Sequence, residues 1–194
     1  MNGIIYLDFL NRNPDGLLIN LSKITQNYEA VIINQYGIAS AINRGFRMLG
    51  FGFDTYTILG NDIIEPQDWM TGRINALSAG YGIVSYPFEL SSEFQNTDII
   101  GNYTISQSVL LSIGGMNTDY DPYGAIDLDY CHRARAAGYR TSYIPGAVAV
   151  HQGQHGSGGD YGFNKSEMVQ KTWNQHVESV DKYRNGQIPV KIPI

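Results

Sequence analysis

Short apolar runs alternate with segments of helical period through the first half of the chain. Residues 4–10 form an apolar run that stops at Asn11-Arg12-Asn13-Pro14-Asp15-Gly16, a stretch of turn chemistry. Leu17, Leu18, Leu21 and Ile24 then recur at helical spacing. Residues 28–33 are rich in β-branched side chains and predict a second strand, and Gln35-Tyr36-Gly37 turns the chain. Ile38, Ile42, Gly45 and Leu49 lie on one stripe of a helix predicted over 38–49. A third strand is expected over 54–59, closed by Gly60-Asn61-Asp62. Pro66, at the favoured first turn, predicts a helix reaching Ala79. Strands follow over 81–86 and 98–105, then a short helix over 106–113 stopped by Gly114-Gly115. A helix over 127–137 ends at Gly138. Short strands are expected over 141–144 and 147–150, a Gly/His loop over 151–162, a polar helix over 166–183 and a Pro-containing tail.

Alternating strands and helices predict an α/β domain with a mostly parallel central sheet. Ligands of such sheets gather where strand C-termini meet loops, which directs attention to Asn11–Asn13, Gln35, Asn61, Asp62 and His151. With 194 residues, the chain makes one domain or one with a small appendage. A single cysteine, Cys131, excludes an intramolecular disulfide and a four-cysteine zinc site. The 43% hydrophobic and 16% charged composition argues against disorder. A net charge of −5 counts against a dedicated duplex-binding protein, though it leaves room for a local basic groove and so for a nucleic acid acceptor. The 14 tyrosines suit a surface that meets polar, partly apolar ligands such as sugars. No run reaches the roughly 18 apolar residues of a membrane span. The N-terminal residues lack the basic start and long apolar stretch of a signal peptide, so the expected compartment is the cytoplasm, that of an infected host cell included. The sequons at Asn20, Asn102 and Asn164 are then chance matches.

Three segments carry chemistry. In Thr57-Ile58-Leu59-Gly60-Asn61-Asp62 a strand delivers a carboxylate beside an amide, suited either to a divalent cation that also holds a diphosphate or to a simple turn cap. Asp127 and Asp129 open a helix, whose N-terminus favours the ionised carboxylate; such a group can accept a proton from an attacking hydroxyl or merely compensate the dipole. Being two apart, they face different sides of that helix. In Ala147-Val148-Ala149-Val150-His151-Gln152-Gly153-Gln154-His155-Gly156 an imidazole follows a strand and enters a glycine loop, an arrangement that suits a metal ligand beside phosphate-binding amides, or an ordinary surface loop.

The order of these segments resembles a family 2 glycosyltransferase of the GT-A type, over roughly residues 28–160. That family has an N-x-G helix, like Gly37–Gly45 here; a D-x-D or N-x-D-like motif after a strand; and a Gly-Gly-Phe-Asp-like turn, like Gly114-Gly115-Met116-Asn117. It then has an acidic helix ending in Arg-x-x-Gly-Tyr, like Asp127–Arg140, and a final strand with a metal-binding His, like Val148–His151. The resemblance implies a three-layer α/β/α GT-A fold, a nucleoside-diphosphate sugar donor, a saccharide or other hydroxyl acceptor, Mn²⁺ or Mg²⁺, and inversion at the anomeric carbon. Carried onto this sequence, it makes Asp127 the catalytic base and Asp62 and His151 the metal ligands. Asp8, Asn43, Gly60, Asn61 and His155 fall on the donor side, with Lys165 and Arg133 as further phosphate contacts. Asn102, Tyr123 and Asp129 fall on the acceptor side. The loop 154–161 is placed to close over the donor. Residues 1–64 correspond to a shortened nucleotide-binding half, 65–165 to the acceptor and catalytic half, and 166–194 to a helix and tail on the same domain.

The chain departs from the family pattern at two positions. Gly60 stands where the first acid of the D-x-D-like motif is usual, and Ile126 where a Glu precedes the base. A non-catalytic nucleotide-sugar or carbohydrate-binding module is therefore the alternative, against which stands the joint retention of Asp62, Asp127 and His151. Nucleotidyl transfer would want a basic Gly-rich loop near the N-terminus, which residues 4–16 do not contain.

Overall fold

In the computed structural model, residues 1–8, 14–88, 97–152 and 164–194 are described. The strands are β1 (Asn2–Leu7), β2 (Tyr28–Ile33), β3 (Thr55–Gly60), β4 (Ile63–Ile64), β5 (Tyr81–Ser85), β6 (Tyr103–Ser106), β7 (Arg140–Tyr143) and β8 (Val150–His151). The helices are α1 (Pro14–Leu21), α2 (Ile38–Leu49), α3 (Trp69–Ser78), α4 (Gln107–Ile113), α5 (Ile126–Ala136) and α6 (Lys165–Arg184). Six strands form one sheet in the order β2-β1-β3-β6-β5-β7, and β4 and β8 form a small antiparallel pair. The large sheet is mostly parallel: β6 alone runs against its neighbours, β3 and β5.

The period-2 alternation of the strands builds two cores. Ile5, Tyr56, Ile58 and Ile105 face one side with Ile42 and Phe46 of α2, Val109 and Leu110 of α4, and Tyr130 and Ala134 of α5. Ile4, Tyr6 and Leu59 face the other with Leu17 of α1 and Trp69 and Met70 of α3. The result is the expected three-layer α/β/α arrangement. From β1 the chain crosses to β2 on one side and then to β3 on the other. That reversal opens a crevice at the strand C-termini, where Leu7 stands opposite Gly60.

Several elements differ from the sequence-based expectation: α1 starts at Pro14, inside the stretch read as a turn, and the two-residue strand β4 was not expected. The helix expected from Pro66 starts at Trp69, because Asp68 has a left-handed φ of 52° that no helical residue can share. The strand expected over 98–105 is confined to Tyr103–Ser106, because Gly101 turns the chain at φ 87°. The strand expected over 147–150 becomes the two-residue β8, which pairs Ile63 with His151.

Helix α6 is capped by the Asn164 side chain, which accepts from the N–H groups of Ser166 and Glu167. It packs on α5: Thr172 Oγ1 accepts from the Ala125 amide at 3.1 Å, and the Tyr183 hydroxyl donates to Asp129 at 2.9 Å. The tail continues the contact, with Ile192 bonded to Ile113 and Gly115. No helix among the described residues is long and apolar enough to cross a membrane.

Candidate active site

The crevice at the sheet's C-terminal edge holds a cavity of about 390 Å³. Strand ends supply Leu7, Ile58 and Gly60; α2 supplies Ile38 and Ile42; α5 supplies Ile126 and Asp127. Asp62, Asn102, Tyr123 and His151 also line it. The polar groups thus converge within a largely aliphatic wall, the usual character of a small-molecule site.

Asp62 and His151 lie 89 residues apart in sequence, and the β4–β8 pairing brings them together. His151 Nε2 and Asp62 Oδ2 are 3.2 Å apart, with the His151 side chain 47% and the Asp62 side chain 24% exposed. The Asp62 carbonyl also accepts from the Gln152 amide at 2.8 Å. One carboxylate oxygen and one imidazole nitrogen, both accessible, fit a Mn²⁺ ion better than Mg²⁺, which prefers oxygen ligands alone. The two donors leave coordination positions free. Among the described residues no third His, Cys, Asp or Glu joins them.

Asp127 sits in the first turn of α5 and accepts from the Gly101 amide at 3.0 Å through Oδ2. Burial pushes its carboxyl up to about 6, while the Gly101 N–H and the neighbouring Tyr103 hydroxyl pull it back. A carboxylate with that value is poised between acid and base near neutral pH. The turn before it is held from two sides. Asp121 caps α2, its oxygens accepting from Ala39 N at 2.8 Å and Ser40 N at 3.1 Å. Thr172 holds the Ala125 amide. Tyr123 and Gly124 are thereby presented to the cavity.

The remaining sequence candidates fall in different places. Gly60 and Asn102 line the cavity, but the Asn102 amide is buried and engaged on both sides, accepting from Gly60 N at 2.5 Å and donating to Glu65 at 2.8 Å. Asn61 donates to Asp8 at 3.3 Å, which puts both beside the β1 and β3 ends but not in the cavity wall. Asn43 points into the protein and exchanges bonds of 2.7 and 2.9 Å with the Met116 backbone, tying α2 to the Gly-Gly turn. Asp129 is wholly buried, with Arg133 at 2.7 Å and Tyr183 at 2.9 Å, and does not reach the cavity. Arg133 is equally buried and donates to the carbonyls of Ile113, Gly115 and Val190, so it is turned away from any phosphate in the cavity. His155, Asn11–Asn13, the loop 154–161 and the Lys165 side chain lie outside the described residues. Sequence reasoning missed Gly101, Phe88 and the α2 residues Ile38 and Ile42 as cavity wall; the glycine inside an otherwise strand-like run was the available signal for the first. Asn20 and Asn102, both sequons, are fully buried, at 0% and 1% exposure.

No protein-family model matches the sequence, and no curated protein matches it. Solved structures do match its fold. A mannosyltransferase from Pyrobaculum calidifontis, in complex with GDP-Man and Mn²⁺, superposes with a TM-score of 0.66 at 17% identity, covering 80% of this chain and 58% of the other. S. aureus TarS in complex with UDP gives 0.61 at 9% identity, covering 76% and 59%. A mutant of Drosophila β1,4-galactosyltransferase 7, in complex with manganese, UDP-Gal and xylobiose, gives 0.59 at 15% identity, covering 78% and 68%. The chain thus spans somewhat more than half the length of the first two. At these identities the likeness establishes the GT-A fold.

Proposed function

We propose that this GT-A-fold chain is a metal-dependent glycosyltransferase that moves a sugar from a nucleoside-diphosphate sugar to an acceptor hydroxyl with inversion. The observation that carries this reading is the meeting of Asp62, His151 and Asp127 on one cavity at the switch point of the sheet. The complexes of the fold neighbours with UDP-Gal, GDP-Man, UDP and Mn²⁺ support the donor class.

Asp62 and His151 would hold Mn²⁺, and Mg²⁺ less well. When bound, the ion supplies Lewis acidity that stabilises the departing diphosphate. The rest of the work falls to the chain's own groups. Asp127, raised to about 6, takes the proton of the acceptor hydroxyl as that oxygen attacks the anomeric carbon. The Gly101 N–H, bonded to Oδ2, and the neighbouring Tyr103 hydroxyl hold that carboxylate in place. Phe88, Ile100 and Ile126 line the cavity with apolar surface and exclude water that would otherwise hydrolyse the donor. Tyr123, on the loop clamped by Asp121 and Thr172, faces the cavity from the acceptor side. Asp8 and Asn61 lie where the nucleoside would extend along the strand ends. In this assignment residues 1–64 form the nucleotide half, 65–165 the acceptor and catalytic half, and 166–194 a buttress for α5.

A panel of UDP-, GDP- and dTDP-sugars with Mn²⁺, read by thermal shift, tests the proposal. A donor at a hundred times its Kd stabilises the native state by about 2.7 kcal/mol. The true donor should raise Tm with Mn²⁺ and not with excess chelator. A flat response across the panel would rule out donor binding.

A further inference from the structure

A buried ion pair lies behind the loop that carries Asp62. Glu65 and Arg73 are both wholly buried, with Nη2 of the arginine donating to Oε1 of the glutamate at 2.7 Å. A buried pair is seldom a net source of stability, because desolvation offsets the attraction. This pair is also incompletely satisfied: among the described residues, Glu65 Oε2 and Arg73 Nε have no hydrogen-bond partner. Thr104 and Ser85 accept from the guanidinium only at 3.4 Å. Such an arrangement calls for a reason other than stability, and its bonds lead to the metal loop.

We propose that Glu65 and Arg73 are positioning residues that act through Asn102 to hold Asp62 beside His151; the inference rests on the metal assignment above. A guanidinium only donates and a carboxylate only accepts, so the direction of each bond in the chain is set. Arg73 donates to Glu65 Oε1, and the same oxygen accepts from Asn102 Nδ2 at 2.8 Å. The Asn102 carbonyl must then face the other way, where it accepts from Gly60 N at 2.5 Å. A reversed Asn102 amide would set its NH₂ against the Gly60 N–H and its oxygen against the Glu65 carboxylate. Glu65 therefore fixes the orientation of the acceptor that pins Gly60, two residues before Asp62. The far side of Asp62 is pinned as well. Buried Asn20 donates to Ile63 O at 2.9 Å and accepts from Glu65 N at 2.8 Å, and the Trp69 indole donates to the Asn20 carbonyl at 3.0 Å.

Gly60 lets the two parts approach. A Cβ there would lie 3.0 Å from Asp62 Oδ1 and 3.5 Å from Asn102 Oδ1, so a side chain at 60 would press on the carboxylate itself. The acid usual at that position in the GT-A pattern has thus given way to a close approach, and one carboxylate is held from behind by a buried network.

Mn²⁺ binding to the full chain, measured by electron paramagnetic resonance in the presence of UDP or GDP, tests the inference without relying on turnover. Glu65→Leu removes the oxygen that accepts from both Arg73 and Asn102. Asn102→Ala removes the link to Gly60 but keeps the Glu65–Arg73 pair, and so guards against a simple folding failure. Both should weaken Mn²⁺ binding by roughly ten- to a hundredfold, the usual cost of losing an outer partner of a metal ligand. Tyr183→Phe, which removes the α6 bond to Asp129 and touches no member of this network, should lower Tm and leave Mn²⁺ affinity unchanged. Wild-type affinity in both Glu65→Leu and Asn102→Ala would overturn the positioning role while leaving the metal site intact. No Mn²⁺ bound by the wild type, or no loss in Asp62→Asn, would overturn the metal assignment and the inference with it.

Discussion

Replacing Asp127 by Asn should make the protein more stable and far less active, and the gain in stability should depend on pH. Burial raises the Asp127 carboxyl from an ordinary 3.8 to about 6. The folded state therefore binds a proton that the unfolded state has released between those values. Stability from this group is fully present below about pH 4 and is lost as pH rises through about 6. The interval corresponds to about 3 kcal/mol. Asn keeps the shape and can still accept from Gly101 N but carries no charge to desolvate. At pH 7.5, Asp127→Asn should thus gain up to about 3 kcal/mol over wild type, or roughly 6–12 °C in Tm for a chain of this size. At pH 4 the two should coincide. Urea denaturation of both proteins at pH 4, 5, 6 and 7.5 gives the difference directly. Under saturating donor, the same substitution should lower kcat by roughly two to four orders of magnitude, with donor affinity unchanged. A constant stability difference across that pH range would refute the raised carboxyl. An unchanged kcat would place the base elsewhere.

For the wild type, kcat/KM should fall about tenfold per pH unit below about 6 as Asp127 takes up its proton, and a flat profile from pH 7 to 4.5 would contradict this. Asp129→Asn leaves the buried Arg133 without its counter-charge and should cost about 3 kcal/mol in denaturant unfolding, with donor affinity unaltered in the folded protein. Gly124→Ala places a Cβ 1.8 Å from Thr172 Oγ1 at a φ of 140°, so it should displace the Tyr123 loop or α6 and raise acceptor KM more than donor KM.

Much of the first half was legible because local signals agreed there. The strand Tyr28–Ile33 and the helix Ile38–Leu49 match their expected bounds, since β-branched composition, the Gln35-Tyr36-Gly37 turn and a single apolar stripe all concur. Two of the boundaries that shifted, those of α3 and β6, depend on single backbone angles, at Asp68 and Gly101, which no periodicity reports. Asp62, His151 and Asp127 could be singled out because each follows a strand or opens a helix. What brought them to one cavity is the β4–β8 pairing and the order of the sheet, which are tertiary facts. The polar residues inside the fold were the hardest to read. Asn43, Asn102, Asp129 and Arg133 are of types expected at a solvated site, yet each is consumed by buried bonds to backbone or to one another. Glu65 and Arg73 left no trace in the sequence, being eight residues apart across a turn and a helix start.

The central claim is sugar transfer at the Asp62–His151–Asp127 cavity, and proton NMR of a reaction with the donor found in the thermal-shift panel tests it most directly. With Mn²⁺ and a saccharide acceptor, the account predicts release of the nucleoside diphosphate together with a new anomeric signal of configuration opposite to the donor's, both abolished in Asp127→Asn. Retained configuration would contradict the role of Asp127. A donor bound tightly but never consumed, with any acceptor offered, would contradict the enzyme itself and leave a nucleotide-sugar-binding module in its place.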